Sequence, residues 1–336
     1  MTGIKIDEIN ANILRRLLKD ARTSFTELAK ENNITVAATI NRYKSLRKAG
    51  VIKCAIMQVN PSSLGLNCNG YLGLEVDPKK KEEIIKFLDE QTYIYSTWNR
   101  LNKINIGCFF AAPDLKYFNM ITEKLKKQPH IKNINSQIHI GFLVSDHPEN
   151  LIIKSGITVG QTRPNQKIVP INSENKTFLV TPEVEQMDQV DRAIAKMLSA
   201  DARISFRFIA KKLKMSTSTA LKRYRRLRDS NLFIRSTISV DLKKLGYNAR
   251  AMIFFNITSK TNSSELQMSL LSIPNLIILN KMLGNTDMLA VFPIRTIQEF
   301  FKIKAIFYAI EGIEVIQIDI NAITPQWPFN FFANFL

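Results

Sequence analysis

Slid against itself by 181 residues, the chain matches without a gap from Asp7/Asp188 to Asn67/Asn248. The stretch DARTSFTELAK at 20–30 returns as DARISFRFIAK at 201–211. Identities continue through Ile13/Ile194, Leu17/Leu198, Arg42/Arg223, Tyr43/Tyr224, Leu46/Leu227 and Gly65/Gly246. Self-similarity of this length marks a duplicated module, and a unit of about 150 residues plus a linker is too long for the stacked repeats of a solenoid. Whatever one unit folds into, the chain folds into twice.

The first fifty residues of each unit read as three short helices. Ile9, Ile13 and Leu17 recur at helical spacing. A second helix starts at about Ser24, an N-cap with Glu27 three residues on, as in a capping box. It carries Phe25, Leu28 and Ala29 on one face, and a small residue such as Ala29 or Ala210 lets another helix cross closely. After a turn at Asn32-Asn33-Ile34-Thr35, a third helix points Thr39, Tyr43 and Leu46 inward and ends at Gly50. A second helix, a tight turn and a third helix form the helix-turn-helix arrangement, whose third helix enters the major groove of DNA.

What the third helix offers DNA differs between the units. In the second unit, with Ala220, Tyr224 and Leu227 facing the core, Lys222, Arg223, Arg225, Arg226 and Arg228 are expected outside. Ser216 can cap the start, and Ser218 and Thr219 sit in the first turn, where side chains meet base edges. The first unit offers Thr35, Ala37 and Ala38 at the matching turn, then Asn41, Arg42, Lys44, Arg47 and Lys48. The second unit is therefore expected to hold phosphates more strongly. A row of cations can also be an ordinary solvated helix face, but two aligned copies behind the same two-helix support favour the DNA reading.

The rest of each unit alternates as βαββαβ. The first runs through 69–76, 79–91, two strands within 93–112, a helix from Pro113 and a strand closing near 144. The second repeats the order, with a helix over 263–273 and another from Thr296 to about Glu311. This is the split-βαβ, ferredoxin-like pattern, one sheet with two helices on one face. The bare face must be buried, and pairing of sheet on sheet is expected. The fold class is thus α+β: two tandem units, each a winged helix-turn-helix domain followed by a ferredoxin-like domain. The expected division is 1–60 and 66–145 for the first unit, a Gly-, Pro- and Asn-rich linker over 146–180, then 181–241 and 247–325 for the second. An aromatic tail, 326–336, packs over the sheet or a neighbouring subunit.

Lys and Arg number 47 against 29 Asp and Glu, a net charge of +18 whose field draws polyanions, nucleic acid first. Cys54, Cys68 and Cys108 are far apart with no CxxC pair, so they read as idle thiols rather than zinc ligands or disulfides. No run of about 18 apolar residues appears, and the start of the chain lacks the apolar core of a signal peptide. A soluble, cytoplasmic protein is expected. No cofactor is implied: glycine-rich phosphate loops, metal-ligand spacing and Ser/His/Asp sets are all missing from the sequence.

The order of these features resembles the Lrp/AsnC transcription regulators, over nearly the whole chain and twice. Members of that family usually carry one copy and dimerise through their ferredoxin-like domains, so two fused copies resemble a dimer in one chain. The resemblance implies double-stranded DNA as partner, further homo-oligomers through the ferredoxin-like domains, and a small effector such as an amino acid near a G-x-x-D turn. The second unit keeps that turn as Gly284, Asn285, Thr286 and Asp287; the first has Asn102, Lys103, Ile104 and Asn105 there. Siroheme decarboxylases resemble the same architecture, with basic and histidine side chains holding a tetrapyrrole's carboxylates. Arg100 and Asn105 within WNRLNKIN resemble one such motif, and the three histidines, His130, His139 and His147, all fall in the first unit. The regulator is the expected function and no enzymatic activity is expected; the decarboxylase is the alternative.

Overall fold

The computed structural model describes residues 6–144, 148–152, 187–258, 266, 269–270, 273, 275–323, 326–330 and 332–336. In the first unit α1 (Glu8–Lys19), α2 (Phe25–Glu31) and α3 (Val36–Lys48) lead into β1 (Ile52–Val59). Then come β2 (Cys68–Val76), α4 (Lys81–Asp89), β3 (Ile94–Asn99), β4 (Ile106–Ala112), α5 (Leu115–Lys126) and β5 (Ile131–Val144). The second unit repeats this as α6 (Gln189–Ala200), α7 (Phe206–Lys212), α8 (Thr217–Asp229) and β6 (Phe233–Val240). It continues with β7 (Ala249–Ile257), β8 (Ile278–Leu283), β9 (Met288–Ile294), α9 (Ile297–Ala309) and β10 (Ile313–Ala322). Most of the helix expected over 263–273 lies outside the described residues; Leu266, Leu270 and Ile273 are buried under the second sheet. The linker expected over 146–180 lies outside them too, apart from a turn at 148–152 whose Ile152 carbonyl accepts from Arg15.

Except for α4, where Lys80 makes no such bond, each of these helices starts where a side chain accepts an orphan backbone N–H. Ser24 accepts from the Glu27 N–H, as expected. The Glu27 carboxylate, however, does not complete a capping box: it bonds Arg16 at 2.7 Å, a charge-assisted partner one helix away.

The strand after each third helix is completed by its counterpart in the other unit. β1 and β6 pair antiparallel, with Ile52 opposite Val240, Val59 opposite Phe233 and, in the middle, Ile56 opposite Thr237. Ile56 and Thr237 are themselves equivalent positions of the repeat, so a pseudo-dyad passes between them. The Ala21 N–H donates to the Ser236 carbonyl, and the Ala202 N–H to that of Ala55, the same bond made once in each direction.

The two ferredoxin-like sheets join edge to edge in the order β10-β7-β9-β8-β5-β2-β4-β3, the seam being β5 against β8. Alternation assigns the faces. Leu72, Leu74, Cys108 and Phe110 pack under α4 and α5; Ala251, Ile253, Phe255, Ala290 and Phe292 pack under α9. The opposite faces meet each other inside the chain, Tyr71 against Phe254 with ring centroids 5.6 Å apart. Gly107 is required on that inner face: a Cβ there would lie 2.5 Å from the Trp98 ring.

The tail closes the remaining gap. Trp327 and Val240 exchange backbone bonds of 2.8 and 2.9 Å. Asn330 donates to the Met57 carbonyl, and Phe332 meets Tyr95 edge-on. Its aromatic residues thus pack against this chain's own β1, β3 and β6. Cys68 and Cys108 are buried and Cys54 half-buried, and burial pushes the Cys68 thiol up to about 11. Among the described residues no helix is long and apolar enough to cross a membrane, and no group of three His, Cys, Asp or Glu could hold a metal.

Candidate nucleic-acid interface

The two third helices, α3 and α8, are placed by three devices, each made twice. The first is the cap. Thr35 accepts from the Ala38 N–H at 3.1 Å and Ser216 from the Thr219 N–H at 3.0 Å, which fixes where each helix begins. Such caps contribute about 1 kcal/mol each.

The second device is an ion-paired staple. Asp7 caps α1 through the Asn10 N–H and also receives Arg42 of α3 at 2.7 Å, while Arg42 donates to the Asn10 side chain at 3.0 Å. In the second unit Asp188 caps α6 and receives Arg223 of α8 at 2.6 Å. There Asp191 replaces the asparagine; it is fully buried and takes both Arg223, at 2.8 Å, and Arg226. The guanidinium of Arg223 holds the Asp188 carboxyl below the usual carboxylate range. The expectation that Arg223 stands outside with its neighbours is therefore corrected. Arg223 is half-buried and finds fixed anions inside its own domain, at the cap and in the first turn of α6, and these pairs tie α8 to α6.

The third device crosses the pseudo-dyad. Arg22 lies 4.7 Å over the Phe206 ring and donates to the Ala202 and Ile204 carbonyls. Arg203 lies 4.4 Å over Phe25 and donates to the Ala21 and Thr23 carbonyls. Both rings belong to the second helix of the opposite unit, so the supports of the two readers are locked to each other. Helical spacing does not single out either arginine, although both stand at the same place in the DAR segment of the repeat.

What remains outside is a first turn and a cation face on each helix. Thr35, Ala37, Asn41, Lys44, Arg47 and Lys48 are exposed on α3, with Ala38 half-buried. On α8 the hydroxyls of Ser216, Ser218 and Thr219 form an exposed cluster, 2.7 and 2.8 Å apart. Lys222 and Arg225 are exposed and make no ion pair with described residues, whereas Arg226 reaches Asp191 and Arg228 reaches Asp229 at 3.0 Å. The richer cation row of the second unit is thus partly spent internally, and the two helices present more similar charge than their sequences do.

The two G-x-x-D positions are treated differently. In the second unit Asp287 accepts from the Ile257 N–H at 2.9 Å and so ties β9 to β7. Asn285 and Thr286 reach Asn135 and Gln137 of β5, both at 3.0 Å. Gly284 has φ +150, and a Cβ there would sit 2.9 Å from the Ser136 carbonyl, so the close approach of β8 to β5 requires glycine. In the first unit Asn105 plays the part of Asp287, accepting from the Val76 N–H. Arg100 and Asp319 form a buried ion pair of 2.7 Å at that position, with Asn102 also donating to Asp319. Arg100 and Asn105, the pair resembling the decarboxylase motif, are thus engaged with Asp319 and with the Val76 backbone. His130 lies at the surface turn before β5, His147 lies outside the described residues, and His139 lines a cavity of about 600 Å³.

Residues 6–47 and again 187–228 match the AsnC-type helix-turn-helix domain. An uncharacterised HTH-type transcriptional regulator of Pyrococcus horikoshii is 31% identical over 118 residues, 34% of this chain and 80% of that protein. An HTH-type transcriptional regulator of Methanocaldococcus jannaschii is 36% identical over 111 residues, 33% of this chain and 75% of its own length. These relatives correspond to one unit. Over both units, the solved structure of the siroheme decarboxylase NirDL with an iron-uroporphyrin III analogue shares the fold, with a TM-score of 0.62, 13% identity and coverage of 94% of this chain and 91% of that one. The chain belongs to the Lrp/AsnC family of helix-turn-helix transcriptional regulators, with two family units in tandem.

Proposed function

We propose that this chain is a sequence-specific regulator that binds double-stranded DNA with both units at once, as a dimer built into one polypeptide. The observation that carries this reading is the reciprocal clamp of Arg22 and Arg203 across the β1–β6 pairing, which holds two capped recognition helices about one pseudo-dyad. A two-fold DNA site needs two readers in fixed relation. Lys44, Arg47 and Lys48 of α3, with Lys222 and Arg225 of α8, hold phosphates, while Thr35, Ala37, Ala38, Ser216, Ser218 and Thr219 approach bases. With about eight phosphate contacts, log K falls with log salt at a slope near −7. Fluorescence anisotropy of a duplex at several salt concentrations measures it; salt-independent or absent binding defeats the reading.

Modulation by a small effector, such as an amino acid, is assigned to the 284–287 turn, where Asn285 and Asp287 are exposed. The matching position of the first unit is filled by Arg100 and Asp319, so one effector per chain is expected, and further association through the ferredoxin-like domains remains open to it.

The chain is proposed to act without catalysis. A tetrapyrrole decarboxylase is the second reading, favoured by the fold shared with NirDL over both units. Against it stands the chemistry of the cavity. Among the described residues lining it, Arg235 is the sole cation at neutral pH, since burial holds His139 down at about 4. A uroporphyrin carries eight carboxylates, and burying them without partners is strongly unfavourable. A spectral titration with siroheme decides: a saturable shift with loss of carboxylate would put the enzyme first.

A further inference from the structure

A cavity of about 600 Å³ lies between the β1–β6 ribbon and the inner face of the eight-stranded sheet. Its size falls in the range of sites for small organic ligands, roughly 300–1,000 Å³. The repeat shows why it is open. Trp98 of β3 stands opposite Gly107 of β4, and Asn280 of β8 opposite Leu289 of β9, so Trp98 and Asn280 hold equivalent places in the two units. Asn69 of β2 and Arg250 of β7 are likewise equivalent, opposite Ala111 and Pro293.

At one of these places the chain fills its own space. The Trp98 ring stacks on Tyr71 with centroids 5.8 Å apart and meets Phe109 at 4.7 Å, while the Arg250 guanidinium lies 5.2 Å from its centre. Gly107 leaves the indole its room. At the other place Asn280 and Asn69 line the cavity instead, among the rings of Tyr95, Phe109, Trp327 and Phe332. Two short amides in place of an indole and a guanidinium leave the volume of a ring open, where protein interiors are otherwise close-packed.

The polar groups point the same way. Asn280 is 3% exposed and its Oδ1 has no hydrogen-bond partner, which is unfavourable for a buried acceptor until a donor reaches it. The charged groups of the lining are already engaged: Arg235 donates to Gln58 at 2.8 Å, and Asp114 caps α5 through the Tyr117 N–H at 2.9 Å. Burial holds His139 down at about 4, so it is neutral at pH 7. The site asks for a donor and a ring, and for no charge.

We infer that this cavity binds a neutral, planar aromatic molecule, its ring in the space that Trp98 fills at the equivalent place and its N–H or O–H donating to Asn280 Oδ1. Leu283 also lines the cavity and precedes Gly284, so the site adjoins the 284–287 turn. The inference thus deepens the effector reading, and rests on it for any consequence for DNA.

Isothermal titration of the full chain with indole and 2-naphthol tests this, beside 1-methylindole and 2-methoxynaphthalene, which keep the rings and lack the donor. At least one donor binds saturably at one per chain, and its methylated counterpart binds about tenfold more weakly, the loss of one hydrogen bond to a buried acceptor. Asn280→Leu removes that preference. Asn280→Trp with Leu289→Gly rebuilds the Trp98–Gly107 pair at the open place and abolishes binding. The inference is overturned if neither donor binds up to millimolar concentration, if the methylated counterpart binds equally well, or if Asn280→Leu, folded by circular dichroism, keeps the preference. Saturable binding that leaves duplex affinity unchanged upholds the cavity and defeats the effector reading. A duplex response to an amino acid with neither probe bound does the reverse.

Discussion

Arg22 and Arg203, equivalent positions of the repeat, each reach across the pseudo-dyad and lie over a phenylalanine of the other unit, at 4.7 and 4.4 Å. The contact is doubly fixed, because each guanidinium also donates to carbonyls at the turn it meets. Neither unit alone could make it. The second helices that support the two readers are thereby tied to each other.

Breaking the clamp should therefore affect DNA binding through geometry. A cation–π contact is worth about 0.5–2 kcal/mol and a charged hydrogen bond about 1.5–3. Arg203→Ala is expected to lower the unfolding free energy by about 2 kcal/mol. It should also weaken binding to a duplex with two half-sites far more than to one with a single half-site. Urea denaturation and anisotropy on the two duplexes give the two numbers; equal losses on both duplexes would leave the clamp without a role in pairing the readers.

The staple predicts that two groups of α8 cations behave differently. Lys222→Ala with Arg225→Ala should reduce the salt slope by about two, near 0.9 for each phosphate released. Arg223→Ala should leave the slope nearly unchanged and reduce stability by about 1–3 kcal/mol, since it strips a partner from buried Asp191. A slope that drops by a full unit in Arg223→Ala would return that residue to the phosphate contacts.

The Arg100–Asp319 pair, with side chains 2% and 3% exposed, is sensitive to loss of one partner. Asp319→Ala leaves Arg100 charged among apolar groups and should cost about 3–5 kcal/mol. Arg100→Met with Asp319→Leu should recover most of that, because the desolvation of both charges disappears together. Thermal melts of the parent, single and double variants test this; a double variant as unstable as the single one would contradict it.

Stability should also depend on pH through His139. Burial holds its imidazole down to about 4, against about 6.5 in an unfolded chain. Above pH 6.5 both states are neutral and the native state keeps its full advantage. Between 6.5 and 4 only the unfolded chain takes up the proton, so stability falls, by about 3 kcal/mol in all. His139→Gln should flatten that portion of the curve in urea titrations from pH 7.5 to 4.5. An unchanged curve would mean that His139 is solvated in the native state.

Much of this protein is written in local pattern. The helical spacing of Ile9, Ile13 and Leu17, the caps at Ser24 and Ser216, and the alternation of βαββαβ each depend on residues a few positions apart, and the 181-residue repeat shows each of them twice. Periodicity exposes such features because neighbours in sequence share one helix or strand face. The fate of the charges was not legible in the same way. Arg223 looks like its neighbours until the fold brings Asp188 and Asp191 to it from 35 and 32 residues away. Arg100 meets Asp319 only because two sheets pack face to face.

By itself, then, the sequence determined that there are two copies of one unit, what each unit is made of, and where its reading helices begin. The tertiary structure decided how the copies face each other, which cations are left for DNA, and where a cavity opens between ribbon and sheet. The physical reason is range. Hydrogen-bonded caps and amphipathic faces act within a turn or a strand, whereas ion pairing, ring stacking and cavity shape depend on groups that only the folded chain brings within a few ångströms.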